Sequence, residues 1–278
     1  PGTIQIDCLG QVGESWIARQ PKEFNSLDIT PTDVQRARQA LDFLKTSEIN
    51  RRRQPSYGIV RSLLAGIDRK LVFLAGHNNY SSGVFPYDLN ARNLHSPIYR
   101  DSRQLFEEML HIAKANDWFL VFKPHPYSKK FLPTARRSEN HLIVDNVNIH
   151  ECIDLCDVTV TVLSQISYVA LTREKPVVML GRTAMLNQGC SYEAFTPEKV
   201  ADRISEALVH KNANVMSKNW LEHVARLLKY CLYLYEGAYA DKLAVQSEKD
   251  FCVKLAALAE KSLDDYSLST LHAPHNKR

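Results

Sequence analysis

Several motifs that mark common enzyme classes are missing from this sequence. Its six cysteines form no Cys-x-x-Cys pair and no zinc-like spacing with histidine, which argues against a zinc site and predicts reduced thiols. Neither Gly-x-Gly-x-x-Gly nor the P-loop pattern occurs, which disfavours a dinucleotide oxidoreductase and a P-loop NTPase. No Asp-x-Asp motif of a metal-dependent nucleotide-sugar site is present, and Leu163-Ser164-Gln165 lacks the glycines of a hydrolase nucleophile turn.

Long apolar runs are missing as well. No run approaches the roughly 18 residues that a membrane-spanning helix needs, and no signal peptide is expected. Hydrophobic residues make up 45% of the chain and charged residues 24%, as in ordinary globular proteins. A formal charge of +4 is too small to indicate nucleic acid but is compatible with an anionic ligand such as a nucleotide. Because the first residue is Pro1, we expect the chain to be processed or cut from something longer.

Short apolar runs alternate with amphipathic segments through the middle of the chain. This alternation predicts βαβ units and an α/β fold, a Rossmann-like parallel sheet with flanking helices. The predicted strands lie at 70–75, 118–122, 141–144, 158–163 and 176–180. The predicted helices lie at 34–49, 102–116, 148–156, 165–172 and 197–210.

The same patterns divide the chain into four parts. We predict an N-terminal segment and linker at 1–66, irregular over its first thirty residues, and a Rossmann-like nucleotide-sugar-binding domain at 67–212. A helical extension follows at 213–266, with helices at 220–235 and 248–262. The tail at 267–278 is expected to be loose.

The motif Lys123-Pro124-His125-Pro126 directly follows the apolar run 118–122. In open α/β sheets, ligands bind at the carboxyl ends of the strands, where this motif places a cation and an imidazole. The two prolines fix their own φ angles and keep the residue before each out of the helical region, so His125 is held extended. A loop histidine that only caps a turn is the structural alternative.

Three other predicted strands also end in polar residues. They are followed by Gly76-His77-Asn78-Asn79, Ser164-Gln165-Ile166-Ser167 and Gly181-Arg182-Thr183. A parallel sheet brings such ends to one edge, where Ser164 and Ser167 at a helix start favour a phosphate. Lys123 or Arg182 could complete the charge neutralisation. Alternatively, Ser164 is a plain helix cap, Gly181 closes a turn and Arg182 is solvated.

The order of these motifs resembles the bacterial capsule polysaccharide biosynthesis family. The resemblance covers roughly 70–210. Its motifs are, in chain order, Lys123 to Pro126, Asp145-Asn146-Val147-Asn148, the strand that ends at Ser164, and Lys175-Pro176-Val177-Val178-Met179-Leu180-Gly181. Characterised members include transferases of Kdo, an eight-carbon acidic sugar, from CMP-Kdo, with GT-B-like folds. Similar signals occur in bacterial sialyltransferases and CDP-glycerol-type polymerases.

The resemblance implies a glycosyltransferase, or its donor-binding half, in the synthesis of capsule or surface polysaccharide. Lys123 and His125 would contact the cytidylate end of the donor, and Ser164 and Ser167 its phosphate. The donor-binding set that we predict is Lys123, His125, Ser164, Gln165, Ser167, Gly181 and Arg182. No metal or other cofactor is expected besides the CMP-sugar substrate, because acidic residues are scarce near the strand ends.

The sequence also departs from the family. The loop 76–80 lacks the Gln and Asp expected there, and 1–65 is too short and too irregular for the second Rossmann-like domain of a complete GT-B enzyme. The chain is therefore expected to be part of a larger glycosyltransferase polypeptide or to have a reduced acceptor side. Weak candidates for a catalytic base are His77, Asp88 and Glu193.

Two other functions are also compatible with these motifs. One is a CDP-glycerol or CDP-polyol phosphotransferase, and the other is a non-catalytic Rossmann-like module of a larger glycan-synthesis protein. The expected partners are a nucleotide-sugar donor and a glycan or glycolipid acceptor, with no nucleic acid and at most peripheral membrane contact. The expected location is the cytoplasm or the inner face of the plasma membrane.

Overall fold

A computed structural model describes residues 2–5, 9, 12–47, 55–79, 89–126 and 135–235. Its strands are β1 Gly2–Gln5, β2 Leu71–Ala75, β3 Phe119–Lys123, β4 His141–Ile143, β5 Val158–Thr161, β6 Val177–Met179, β7 Tyr192–Glu193 and β8 Leu232–Tyr235. Strands β2 to β7 form one parallel sheet in the order β4-β3-β2-β5-β6-β7. The parallel Rossmann-like sheet predicted from the sequence is thereby confirmed.

Helices cover both faces of this sheet. The helices are α1 Trp16–Arg19, α2 Pro21–Ser26, α3 Pro31–Ser47, α4 Ile59–Leu64, α5 Leu89–His95, α6 Ser102–Ala115, α7 Ile149–Leu155, α8 Ile166–Thr172, α9 Val200–Val209 and α10 Ala213–Arg226. Helices α3, α4, α7, α8 and α10 contribute to one apolar layer, and α6 and α9 to the other. The molecule is therefore a three-layer α/β/α structure.

Strand β2 shows why its sequence is apolar throughout. Phe73 and Ala75 lie in the layer with α7 and α8, whereas Val72 and Leu74 lie in the layer with α6 and α9. Successive strand side chains point to opposite faces, so a central strand between two helical layers needs apolar residues at every position. The same alternation holds along β3.

Most predicted elements are found within two or three residues of their expected bounds. The predicted Asn cap of α7 is confirmed, because the Asn148 side chain accepts a hydrogen bond from the His150 amide at 2.9 Å. The short helices α4 and α5 and the two-residue strand β7 were not predicted. The predicted helix at 248–262 and the tail lie outside the described residues.

The prediction was wrong at both ends of the described chain. Residues 1–30 are not irregular throughout, since they contain β1, a 3-10 turn at Val12–Glu14, α1 and α2. The segment predicted as one helix at 220–235 starts earlier, as α10 at Ala213, and continues as a π-helical turn at Leu227–Cys231 before β8. Strand β8 pairs antiparallel with β1, a partner more than 220 residues away that a local pattern cannot reveal.

The N-terminal helices pack against the C-terminal part of the described chain. Ile17 and Phe24 share an apolar cluster with Ala184, Leu227 and Cys231. This packing joins the two ends beside the loop that follows β6. The predicted domain boundaries stay predictions. Across the described ranges, no helix combines the length and apolar character needed to cross a bilayer.

Candidate functional site

The four polar strand ends meet at the carboxyl edge of the sheet, as predicted. If β2 to β7 are numbered 1 to 6 in chain order, they lie in the sheet in the order 3-2-1-4-5-6, which is the order of Rossmann folds. The second and third strands are added on one side of the first, and the fourth to sixth strands on its other side. That switch point lies between β2 and β5. The loops at Gly76 and Ser164 therefore border the crevice where open α/β sheets bind ligands.

The loops after β2 and β3 are in close contact at Gly76. The Gly76 amide donates a hydrogen bond to the Lys123 carbonyl at 2.8 Å. A Cβ atom at Gly76 would lie 2.7 Å from the His125 backbone nitrogen and 2.9 Å from the Cα of Pro124. Only glycine fits here without displacing the Lys-Pro-His-Pro segment, so the two loops form one unit.

His77 and His125 are electrostatic neighbours within this unit. The His77 side chain is buried, and His125 is half-buried. Burial, followed by the positive charge of a protonated His125, lowers the pKa of His77 to about 4, against an opposing effect of Asp101. His77 is therefore a neutral imidazole at neutral pH.

The loop after β2 is tied to the start of α6. The Ser102 hydroxyl donates to the Asn79 Oδ1 at 2.6 Å, and the Ser102 amide donates to the same atom at 3.1 Å. Asp101 caps α6 by accepting hydrogen bonds from the amides of residues 103 and 104. These bonds fix the position of His77 although the loop lacks the Gln and Asp that the resemblance led us to expect.

Lys123 lies at the end of β3 next to a second cation. Its Nζ donates to the Asp145 carbonyl at 3.0 Å, and the Asp145 carboxylate pairs with Arg136 at 2.9 Å. Arg136 is half-exposed and was not predicted from the sequence. Its position beside β4 depends on a backbone hydrogen bond from the Ile143 amide to the Arg136 carbonyl, at 2.7 Å.

The turn between β5 and α8 contains the two predicted phosphate ligands, Ser164 and Ser167, and Gln165 of the predicted donor-binding set. The Ser164 Oγ accepts from the Ile166 amide at 3.3 Å, and Gln165 is exposed. Ser167 is buried, and its hydroxyl donates to the Ser164 carbonyl at 2.8 Å, which stabilises the turn. Ser164, Gln165 and the backbone at the start of α8 are therefore the more accessible groups of this turn.

Gly181 and Arg182 hold helix α5 against the sheet. A Cβ atom at Gly181 would overlap the His95 carbonyl and lie 2.8 Å from the Val162 carbonyl. The Arg182 guanidinium donates to the Asn93 carbonyl and lies 4.9 Å from the ring centre of Phe195. The helix that Arg182 contacts is one that the sequence pattern did not predict.

The candidate bases are spread along the edge of the sheet. Glu193 ends β7, and its carboxylate accepts the Asn187 amide at 2.8 Å. Burial raises the pKa of Glu193 to about 7, while the Asn187 hydrogen bond opposes the rise. Strands β2 and β7 are three strand spacings apart, roughly 14 Å, so His77 and Glu193 do not converge. Asp88 lies outside the described residues.

No group of three His, Cys, Asp or Glu side chains is placed to hold a metal ion in the part of the chain that the structure describes. The edge instead offers cations and helix-start amides. Together with the helices on both faces, the strand order defines a Rossmann-like α/β fold with a crevice at its switch point.

Residues 88–231, just over half of the 278, match the family described as capsule polysaccharide biosynthesis protein, and the chain belongs to that family. No curated protein sequence matches the chain.

Two solved structures from Thermosulfurimonas dismutans have a similar fold. The KpsC beta Kdo 2,7 transferase shows a TM-score of 0.54 at 17% identity, covering 93% of this chain and 73% of that one. The KpsC beta Kdo 2,4 transferase shows a TM-score of 0.50 at 18% identity, covering 82% and 64%. This chain thus spans less than two thirds of the 2,4 transferase. The family places the chain in capsule polysaccharide biosynthesis, and the two structures show that its fold is shared.

Proposed function

We propose that this chain is the donor-binding part of a glycosyltransferase that transfers an acidic sugar, Kdo, from CMP-Kdo during capsule synthesis. The observation that carries the proposal is that the loops of His125 and Ser164 lie at one edge of the sheet, on either side of the loop after β2 at the switch point between β2 and β5. Membership in the capsule family and the fold of two Kdo transferases support it.

In this proposal, Lys123 and His125 bind the cytidylate phosphate from one side of the crevice. Ser164, Gln165 and the amides at the start of α8 bind it from the other side. The Ser167 hydroxyl stabilises the turn by donating a hydrogen bond to the Ser164 carbonyl. Gly181 and Arg182 border the crevice on the side of α5.

The chemistry explains why cations gather here. When the bond to the sugar breaks, CMP leaves as a phosphate monoester and gains negative charge. A lysine ammonium, an imidazole and backbone amides that are already oriented stabilise that charge in the transition state. We propose that the reaction needs no metal ion, and we expect EDTA to leave CMP affinity unchanged.

The proposed reaction also needs a catalytic base and an acceptor. His77 borders the switch point, but burial lowers its pKa to about 4 and makes it a weak base, whereas Glu193, with a pKa of about 7, lies at the far edge of the sheet. We propose a glycan or glycolipid acceptor and a larger polypeptide that supplies further acceptor contacts. The reaction would take place in the cytoplasm or at the inner face of the plasma membrane.

Calorimetry with CMP, CDP and UDP tests the proposal. We expect CMP to bind more tightly than UDP, and His125→Ala to weaken CMP binding on the order of tenfold or more, because a charge-assisted contact is lost. His111→Ala, an exposed histidine on α6, is the matched control and should leave the affinity unchanged.

Other outcomes identify the alternatives. Preference for a uridine nucleotide would refute the CMP-sugar assignment. Binding of CDP-glycerol with transfer of glycerol phosphate would indicate the polyol phosphotransferase. If no nucleotide binds, the result would favour the non-catalytic Rossmann-like module.

A further inference from the structure

A serine and a histidine face each other across a hairpin that leads into β4. Arg137 and Leu142 are bridged antiparallel, and the Ser138 amide donates a hydrogen bond to the His141 carbonyl at 3.0 Å. The Ser138 Oγ lies 2.7 Å from the His141 Nδ1. A serine hydroxyl within hydrogen-bond reach of an imidazole is the arrangement that activates a nucleophile. We refer to these two residues as the Ser-His dyad.

A backbone carbonyl fixes the proton on the far side of the imidazole. The His141 Nε2 lies 3.3 Å from the Ala135 carbonyl, which can only accept a hydrogen bond. In the neutral ring the proton is therefore on Nε2, and Nδ1 accepts the Ser138 hydroxyl proton. The ring is buried and packs edge-on against Phe106, with ring centres 5.4 Å apart, so its orientation is held. Nucleophile, base and orienting group thus follow one another as in a catalytic triad.

The Ser138 oxygen keeps a lone pair for attack. Among the described residues, it donates its proton to His141 and accepts one hydrogen bond, from the Asn140 amide at 3.1 Å. A hydroxyl oxygen has two lone pairs, so the second can form a new bond. The amide also stabilises negative charge on Oγ as the proton leaves.

Ser138 lines a cleft of about 480 Å³, which is within the range of small-molecule sites. The cleft also includes Phe119, the first residue of β3, and residues 66–69, which precede β2. It therefore lies at the amino edge of the sheet, whereas the candidate donor site lies at the carboxyl edge. The exposed Ser138 is open to a molecule in this cleft.

Two arginines of the cleft suit the same chemistry. Arg69 donates to the Asn140 Oδ1 at 3.0 Å and to the Glu139 carbonyl, so it holds the turn whose amide contacts Ser138. Arg137 donates from Nη1 to the Leu63 carbonyl at 2.8 Å, which leaves most of its N–H groups for an oxygen in the cleft. A guanidinium beside the nucleophile can stabilise the oxyanion of an acyl transfer.

We propose that the Ser-His dyad hydrolyses esters of small acyl groups. The Ser138 Oγ attacks the ester carbonyl carbon while its proton passes to the His141 Nδ1, and the carbonyl electron pair moves to oxygen. When that pair returns, the bond to the alcohol breaks and His141 protonates the leaving alcohol. Water then attacks the acyl-serine and gives a proton to Nδ1, the acid leaves, and Oγ regains its proton. The net reaction consumes one water molecule.

The lining of the cleft indicates the class of ester. Its apolar side chains are Ile67 and Phe119, and Phe119 is only 1% exposed, so a long acyl chain would find little apolar surface. Asp68 and Glu139 supply acceptors for hydroxyl groups. An acetyl ester of a polyhydroxy alcohol such as a sugar fits this lining. The inference does not depend on the proposed transferase function, because it uses the opposite edge of the sheet.

Fluorophosphonate labelling and hydrolysis of p-nitrophenyl acetate test the proposal with the full chain. We expect the phosphonate on Ser138, located by peptide mass spectrometry, and a loss of hydrolysis of at least about tenfold in Ser138→Ala. His141→Gln should slow labelling about 100-fold or more, because the base is lost. Ser62→Ala is the matched control, since this exposed serine donates to the Gly58 carbonyl and should be dispensable.

A second variant keeps the buried His141 in place. In Ser138→Cys, the imidazole should favour the thiolate, so iodoacetamide should alkylate this position at least about tenfold faster than the thiol of Ser62→Cys at pH 7. Equal alkylation of the two thiols, or the absence of phosphonate on Ser138, would overturn the proposal. An unchanged labelling rate in His141→Gln with a wild-type circular dichroism spectrum would also overturn it. Faster hydrolysis of p-nitrophenyl octanoate than of the acetate would refute the small acyl group.

Discussion

Gly76 joins the two loops of the proposed donor site because it has no side chain. The backbone of the Lys-Pro-His-Pro segment occupies the place where a Cβ atom would lie. The position of His125 therefore depends on a residue that would not itself touch the nucleotide.

We predict that Gly76→Ala weakens CMP binding on the order of tenfold, because the added methyl group pushes His125 away from the crevice. Calorimetry measures the affinity, and thermal unfolding measures the accompanying loss of stability. Val60→Ala is the control, since it truncates a buried side chain in α4 and should lower stability without changing CMP affinity. Equal CMP affinity in Gly76→Ala and wild type would contradict the proposed role of His125.

Glu193 should make the free energy of unfolding depend on pH. Its pKa is raised from 4.5 to about 7, so the folded state keeps a proton that the unfolded state has already lost. This group therefore reduces stability as pH rises from 4.5 to 7. We predict that Glu193→Gln gains about 1 to 3 kcal/mol relative to wild type between pH 5 and pH 8.

Urea unfolding of both proteins at a series of pH values measures this difference. Glu198→Gln, at an exposed carboxylate nearby in sequence, should show no such gain, because backbone and Thr196 hydrogen bonds lower the pKa of Glu198 rather than raise it. A difference between Glu193→Gln and wild type that does not vary with pH would refute the raised pKa.

Helix α4 depends on a carboxylate from another element. Glu151, buried in α7, accepts hydrogen bonds from the amides of Gly58, Val60 and Arg61 at 2.8, 3.2 and 3.1 Å. These are amides at the start of α4, which have no partner within the helix. A negative charge at that end also interacts favourably with the helix dipole.

We predict that Glu151→Ala destabilises the protein by about 2 to 4 kcal/mol, because it leaves several amides without an acceptor. Hydrogen exchange should increase in 59–64 well before global unfolding. Glu151→Gln keeps one acceptor and should lose less. Glu174→Ala, which removes an exposed ion pair with Lys45, should change stability by about 0.5 kcal/mol or less. Slow exchange in α4 of Glu151→Ala would contradict this account.

At the scale of the whole molecule, His223 lies where three distant segments meet. Its ring packs edge-on against Phe24 of α2 and stacks with Trp220 of α10, and its Nδ1 is 3.3 Å from the Gln188 side-chain oxygen. Its Nε2 has no hydrogen-bond partner among the described residues. Burial, with a smaller contribution from Arg226, lowers the pKa of His223 to about 3.

This buried neutral histidine predicts acid sensitivity. The unfolded chain binds the proton near pH 6.5, whereas the folded chain resists it down to about 3. The stabilisation is complete above pH 6.5 and is lost as pH falls through that window. In His223→Leu the loss of stability between pH 6.5 and 4 should be smaller than in wild type, as followed by tryptophan fluorescence in urea.

His111→Leu should behave like wild type, because His111 is exposed. His77 contributes acid sensitivity in the same direction, so His223→Leu should keep part of the slope. If the pH dependence of His223→Leu equals that of wild type, the lowered pKa of His223 is refuted.

The sequence alone determined the fold class and the order of the motifs. Apolar runs such as Leu71–Ala75 and Phe119–Lys123 indicated strands buried on both faces, because every position along them is apolar until the polar end. Asn148 before α7 indicated a helix start, because a cap is a local interaction. These features depend on burial and on bonds between near neighbours in the chain, which a local pattern records directly.

The tertiary structure decided which residues those motifs meet. Strand β5 pairs with β2 and creates the switch point, although they are more than 80 residues apart. Arg182 contacts Asn93, and Glu151 holds the start of α4, across separations of about 90 residues. Such partners exist only when distant segments pack at the same time. For that reason the sequence gives Lys123, His125 and Ser164 as candidates, and only the fold shows that the strands before them end at the same edge of one sheet.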